Sequence, residues 1–378
     1  MSTVTDDQVR DPVFTSPGTP AGRLMRSYWQ PVLQSKDLAP ATVQPLTVMS
    51  EQFTLYRGED GIARVMAPRC AHRLTVLSVG TVEGSSLRCM FHGWKFGGDG
   101  RCVEAPGESD RLVARAAVRA YPTWEAHGLI FTYLGEGEPP PFPDLDGFSR
   151  RHGRDLTAAP TVETETYLRR CNFFTNVENG LDHAHVPFTH RLSADPTRTK
   201  TGFDPSAAHQ EPIEVTREVT TIRVRERSGD SPYQATFLMP NALHLIVGIR
   251  SGVMEQFAWR VPIDDETHRS FAIVGRHVPR SPAPTHMVGG AEVDSDWLPA
   301  DECAELILNG EKRLLDFVEH PHLVNIEDHV AQVGMGRLAD RTNELLAESD
   351  KGVVQIRRMW RSQLDALVRD EPLNRKPW

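Results

Sequence analysis

Residues 70–96 read CAHRLTVLSVGTVEGSSLRCMFHGWKF. Two short pairs stand near the ends of this stretch: Cys70 with His72, and Cys89 with His92, with sixteen residues between the pairs. Each pair offers one thiolate and one imidazole from a tight loop. Chance packing accounts poorly for four metal-ligating side chains falling into two such pairs. Two readings compete. A structural zinc accepts two cysteines and two histidines, but its usual spacing pairs like with like. A [2Fe–2S] cluster with two cysteines on one iron and two histidines on the other suits mixed loops, since each loop sends sulfur to one metal and imidazole to the other.

The surrounding sequence, from about 45 to 135, is a run of short strands and tight turns. FTLYRGEDGIARVMA reads as a hairpin turning at Glu59-Asp60-Gly61, and HGWKFGGDGRCVEA as another turning between Gly97 and Gly100. GLIFTYLG reads as a buried strand. Upstream, GTPAGRLMRSYWQPV predicts a short helix leading into a strand. The proline-rich GEGEPPPFPD, residues 135–144, marks a break. Beyond it alternating strands appear (TTIRVRE, YQATFLM, HLIVGI, EQFAWRV, SFAIVGRHV), with helical spacing over 300–319 and 353–368. The expected organisation is therefore α+β: an N-terminal segment (1–40), an all-β domain (41–145), and a domain of antiparallel sheet packed with helices (146–378).

With 378 residues and a net charge of −9, the chain holds enough residues for two cores and lacks the basic surface of a nucleic-acid binder. Arginine clusters such as Arg150, Arg151 and Arg154 read as solvated loop charge. No apolar run approaches the ~18 residues of a membrane span. The polar start MSTVTDDQVRDPVF has no signal-peptide core. Five scattered cysteines suit reduced thiols and a cytoplasmic location better than a disulfide framework.

A second constellation lies at 178–190, ENGLDHAHVPFTH, with three histidines and two carboxylates. If residues 172–186 are helical, Asn179, Asp182 and His185 share a face. At about 100° per residue, His183 and His185 point apart, and His190 also misses His185 unless the helix ends. Pro187 supplies that ending, which pairs His185 with His190 and leaves His183 over. Two histidines and one carboxylate make the facial triad of non-haem iron. By themselves, these histidines also fit a polar helix end.

The pattern C-x-H-x16-C-x2-H followed by Gly93-Trp94 resembles a Rieske domain. Respiratory Rieske proteins carry an extra cysteine in each cluster loop; CAHRL and CMFHGW have none, so the chain is similar to the oxygenase or ferredoxin branch, towards the lower end of a potential range of roughly −150 to +300 mV. Asp182-x2-His185-x4-His190 and the opening GTPAGRLMRSYWQPV resemble Rieske non-haem iron oxygenase alpha subunits of the phthalate dioxygenase and aromatic O-demethylase kind. The resemblance implies a helix-grip, START-like catalytic domain. It implies Cys70, His72, Cys89 and His92 on the cluster, and Fe(II) on His185, His190 and a carboxylate from NIEDHVAQ, Asp328 ahead of Glu327. His329 is given no role. It implies O2 as co-substrate, electrons from NAD(P)H through a reductase, with or without a ferredoxin, and a homotrimer or a multiple of it in which Asp182 links His185 to His92 of a neighbouring copy. Asn179 is expected near the iron or the substrate. The implied reaction is mono- or dihydroxylation, or oxidative O-demethylation, of a small aromatic molecule. Met239, Asn241, His244, Phe257 and Trp259 are candidate pocket residues, though each reads more readily as plain core. The alternative is an electron carrier or a zinc-stabilised binding protein, for which the residues between 171 and 328 would have no redox use.

Overall fold

The computed structural model describes residues 11–194, 213–226, 233–249, 252–277 and 297–373. Its contacts divide into two units, Thr15–Phe142 and the chain from Pro143 onward, the latter joined by the described residues up to Phe14.

In the first unit the turn signals of the sequence do what their chemistry dictates. Strands Glu51–Arg57 and Ala63–Met66 form an antiparallel hairpin, and Gly61 takes φ +78° in the turn between them, a conformation costly for other residues. With Thr42–Val48 and Ala120–Tyr121 they make a four-stranded sheet. A second four-stranded sheet, built from Thr81–Glu83, Ser86–Arg88, Lys95–Phe96 and Cys102–Glu104, carries the segment that ends in Cys89 and His92. Tyr56, Met66, Leu77, Leu87, Trp94 and Phe96 form the core between these elements. The helix Pro20–Arg26 starts where the sequence predicts, with Thr19 accepting from the Gly22 N–H and proline in the first turn.

The second unit is built on one seven-stranded antiparallel sheet. Its order is Thr161–Arg169, His268–Arg276, Gly252–Pro262, Ala242–Ile249, Gln234–Leu238, Thr221–Glu226 and Ile213–Arg217. The register puts Tyr167 opposite Ser270, and Ser270 opposite Arg260. Because side chains alternate along a strand, Tyr167, Arg169, His268, Ser270, Ala258 and Arg260 share one face. His244, Glu255, Phe257 and Trp259 lie on the other. There Phe148 meets His244 and Phe257, with ring centroids 5.1 and 5.9 Å away, and Ser149 Oγ donates to Glu255 at 2.9 Å. His244 and Phe257 are thus core of the opposite face, and the Asn241 amide is used on the backbone carbonyl of Arg260.

The helix Lys351–Val368 buries Ile356, Trp360 and Leu364 at four-residue spacing. Trp360 Nε1 donates to the Pro240 carbonyl at 3.0 Å, and its ring meets Phe173 and Phe174. This contact clamps the helix Phe173–Asn179 into the unit. Two helix expectations need correction. The stretch 300–319 is not one helix: Ala300–Leu308 ends at Asn309, Gly310 takes φ +77°, and Leu314–Phe317 is a separate turn of 3-10 helix. The helix expected over 172–186 stops at Asn179. Among the described residues no helix is long and apolar enough to cross a membrane. The stretch SADPTRTKTGFDPSA, residues 193–207, reads as a long loop; Ser193 and Ala194 instead close the helix Arg191–Ala194, and the rest lies outside the described residues.

Candidate metal centres

The two loops of the first stretch are one conformation built twice. The Cys70 N–H donates to Thr75 O and the Cys70 carbonyl accepts from Leu74 N. The Cys89 N–H donates to Trp94 O and its carbonyl accepts from Gly93 N. In each loop the fourth residue after cysteine has positive φ, +61° at Leu74 and +74° at Gly93. Both cysteines are buried, 2% exposed, while His92 is exposed. His72 and His92 face each other at 4.5 Å between ring centroids, and His72 lies flat on Trp94. The donors therefore sort into a thiol pair inside and an imidazole pair outside.

Burial pushes the Cys70 thiol up to about 11, with the Cys89 thiol beside it adding to the effect. The Nδ1 of His72 is buried without a partner. The unpartnered imidazole nitrogen describes a donor placed for a metal rather than for water or protein. Among the described residues, the four do not form a set that one ion could bridge. That favours a two-iron cluster over a single zinc.

The second constellation converges on His185, His190 and Asp328, whose ligand atoms all lie within 4.8 Å of one another. His185 Nε2 is 3.9 Å and His190 Nε2 3.6 Å from Asp328 Oδ1. The route to this geometry differs from the one the sequence suggests. After Asn179 the chain turns, and the Asp182 side chain accepts from the Ala184 N–H, a local bond that competes with helix. Pro187 then sits in the first turn of a short helix, Val186–Thr189, where its missing N–H costs nothing. His185 precedes this helix and His190 follows it. One helical turn, not the frayed end of a long helix, brings the two imidazoles together.

Each imidazole is oriented from behind. His185 Nδ1 donates to the Asp182 carbonyl oxygen, and the Asp182 carboxylate lies 3.6 Å from the same nitrogen. His190 Nδ1 donates to Glu327 Oε2 at 3.1 Å. In both rings Nε2 keeps its lone pair for the centre. Glu327 is buried and also accepts from Ser193 N and Ser193 Oγ, at 3.3 and 2.7 Å. Of the adjacent acids on the helix Leu323–Gly334, Asp328 faces the imidazoles and Glu327 holds one of them. This role of Glu327 and Ser193 left no signal in the sequence.

Asn179 Nδ2 donates to Asp328 Oδ1 at 3.3 Å. Burial raises the Asp328 carboxyl, but the charges of His190, Arg169, His185 and Arg260 outweigh it and hold the group below the usual carboxylate value. His183 lies instead against Tyr233, with ring centroids 4.4 Å apart and the planes tilted by 44°.

Comparison with known proteins follows the same division. Residues 28–122 match the Rieske [2Fe-2S] domain model. The chain is 28% identical over 373 residues to the 5,5'-dehydrodivanillate O-demethylase oxygenase subunit of Sphingobium sp., covering 94% of this chain and 79% of that protein. It is 28% identical to the phenoxybenzoate dioxygenase alpha subunit of Ectopseudomonas oleovorans, covering 92% and 82%. A fluorene-bound oxygenase in the oxygenase–ferredoxin complex of carbazole 1,9a-dioxygenase superposes with TM-score 0.61 at 21% identity, over 95% of this chain and 96% of that one.

Proposed function

We propose, from the premise that this chain belongs to the Rieske non-haem iron oxygenase alpha subunits, that it is the terminal oxygenase of a multicomponent system. It uses O2 and NAD(P)H-derived electrons to oxygenate a small aromatic substrate. The observation that carries this is the presence of two donor sets of different chemistry in one chain: paired thiols and imidazoles in the first unit, and a two-histidine, one-carboxylate face in the second. An electron carrier or zinc-stabilised binding protein has no use for the second set.

Cys70, Cys89, His72 and His92 would hold the [2Fe–2S] cluster, and His185, His190 and Asp328 the Fe(II). Bound there, the two groups supply electron transfer and O2 activation at an open coordination face. The chain's own residues set the conditions. Asp182 and Glu327 fix the tautomer and aim of the two histidines. Asn179 donates to Asp328 Oδ1, the oxygen that faces the two imidazoles, and so would hold the carboxylate in position. A 28% exposed side chain leaves the Asp182 carboxylate accessible to a further donor. We assign that donor to His92 of a neighbouring copy in a homotrimer. A reductase, with a ferredoxin, supplies the electrons. The relatives named for O-demethylation and dioxygenation support aromatic substrates, and an apolar patch on the second unit's sheet, Met254, Ala258, Ala272 and Val274 with Leu245 and Val247, suits a flat molecule.

The test is a purified preparation assayed for iron, sulfide and visible absorbance. It is then given NADH, a surrogate reductase and an aromatic panel while O2 uptake and product mass are followed. About three irons per chain, a red-brown colour and product-coupled O2 uptake are expected. A colourless protein containing zinc would refute the proposal.

A further inference from the structure

The sheet face that serves the second centre carries two buried arginines without acceptors. Asn176 ties its helix to this face, donating to His268 Nε2 at 2.8 Å, and Asn179 of the same helix reaches Asp328. Arg169 is 0% exposed, and none of its three guanidinium nitrogens has an acceptor among the described residues. Arg260, 8% exposed, has Nε and Nη1 in the same state. Their Cζ atoms lie 4.8 and 5.9 Å from the centre of the Tyr167 ring, so the two charges are neighbours. These nitrogens are closed to solvent, so neither water nor a dissolved ion offsets their charge. Both arginines act on the Asp328 carboxyl, and Arg169 acts on His190 as well.

A guanidinium cannot shed its proton, and an apolar side chain would serve a packed face better than a buried charge without acceptors. The Tyr167 ring offers cation–π attraction but does not cancel the charges. Three carboxylates stand round the histidine pair: Asp328 faces both rings, Glu327 holds His190, and Asp182 lies 3.6 Å from His185 Nδ1. Negative surroundings favour the ion of higher charge, so these acids alone would bias a bound iron towards its ferric state. The two guanidinium groups are the counterweight, and charges held inside the protein are screened little by salt. Glu165, on the same face, has its carboxyl pushed up to about 8 by burial and by Glu163, against the pull of Arg276, so it adds no full anion near neutral pH. Burial raises the Tyr167 hydroxyl, but the two arginines, with Ser270 and Asn176, draw it below its ordinary value. Its ionisation would cancel one charge, which makes it part of the test.

We infer that Arg169 and Arg260 are an uncompensated charge pair that sets the redox balance of the second centre, holding its iron ferrous against the pull of the surrounding carboxylates. The inference deepens the oxygenase reading and rests on it for the iron. A unit charge about 10 Å from another, at an effective dielectric of about 20, shifts an equilibrium roughly tenfold. Each arginine should disfavour ferric against ferrous iron by about that factor. The test is an anaerobic redox titration of the substrate-free holoenzyme, followed by the high-spin ferric EPR signal of the second centre, with the Rieske absorbance as the control for folding. Arg169→Gln and Arg260→Gln should each lower the midpoint by about 59 mV, the potential equivalent of tenfold. Ser270→Asp keeps both arginines and sets an acceptor opposite Arg260; it should lower the midpoint likewise, and Ser270→Asn should not. Arg276, a third arginine of this face, has Glu163 at 3.9 Å, and Arg276→Gln should leave the midpoint in place. Tyr167→Phe should also leave it in place; a rise would show that the hydroxyl already neutralises the pair, and would overturn the inference. Unchanged midpoints in both glutamine variants and in Ser270→Asp overturn it equally. An enzyme that turns over with such unchanged midpoints loses the charge pair and remains an oxygenase. Wild-type protein with no ferric signal at the second centre removes the oxygenase reading itself, and the inference with it.

Discussion

Removing the Glu327 carboxylate tests whether the second centre is organised as described. Glu327 touches no proposed metal position; it accepts from His190 Nδ1, Ser193 N and Ser193 Oγ, at 3.1, 3.3 and 2.7 Å. In Glu327→Ala, His190 loses the group that fixes its tautomer. Partners of this kind are worth about 10- to 100-fold in metal affinity, or roughly 1.4–2.8 kcal/mol. Two further donors are left unsatisfied in a buried site, at about 1–3 kcal/mol each in stability. Glu327→Gln keeps one acceptor oxygen and should fall near the lower end of the affinity range. The assay is Fe(II) titration of protein stripped with a mild chelator, with the visible absorbance of the Rieske cluster as the internal control for folding. Weakened Fe(II) binding with an intact cluster spectrum is expected. Unchanged Fe(II) affinity in Glu327→Ala would refute the claim that this residue orients His190.

Asp182→Asn should retain both metal centres, measured as iron per chain, yet nearly abolish turnover; normal product formation would remove Asp182 from the electron route. Gly93→Ala places a Cβ 3.3 Å from Pro106 Cγ at φ +74°, and should lower holoprotein stability by about 1–2 kcal/mol in thermal unfolding. The equivalent Leu74→Gly should be neutral or stabilising, since it removes a strained non-glycine residue. Acid should destabilise the second unit. Burial holds His244 and His268 below the ordinary histidine value, against Glu255 and the Cys171 carbonyl respectively, while contacts with His244, Ser149 and His277 keep Glu255 below the ordinary carboxylate value despite its burial. All three groups are depressed on folding, so their contribution is present above the unfolded values and lost as pH falls. The two histidines together add up to about 2.7 kcal/mol per pH unit below roughly pH 6.5. His244→Gln should make that slope shallower, and a melting temperature flat between pH 7 and 5 would contradict the assignment.

The cluster loops were legible in the sequence because everything that defines them is local. A thiolate and an imidazole two or three residues apart must share a loop, and Gly93 follows at the position where the backbone needs positive φ. Five of the seven strands were legible for the same reason, since alternation is a period of two read along one segment, whereas Thr161–Arg169 and Ile213–Arg217 were not read. The pairing of His185 with His190 was also reached, but by the wrong route. Helix propensity carried the expected helix past Gly180, whereas the Asp182 side chain bonded the Ala184 N–H and Pro187 opened a new turn.

The roles of Glu327 and Asp328 depend on helical phase against residues some 137 positions away, a relation no local pattern encodes. The same holds for Arg169 and Arg260. As letters in a strand they are ordinary surface charges. Only pairing across three strands places them on one buried face without an acceptor. Short-range spacing thus determined which side chains are placed to hold metal and in what loops, because covalent proximity constrains them. Only tertiary structure decided which acid faces the two imidazoles and which charges remain unpaired, because burial and pairing are properties of packed surfaces rather than of neighbours in the chain.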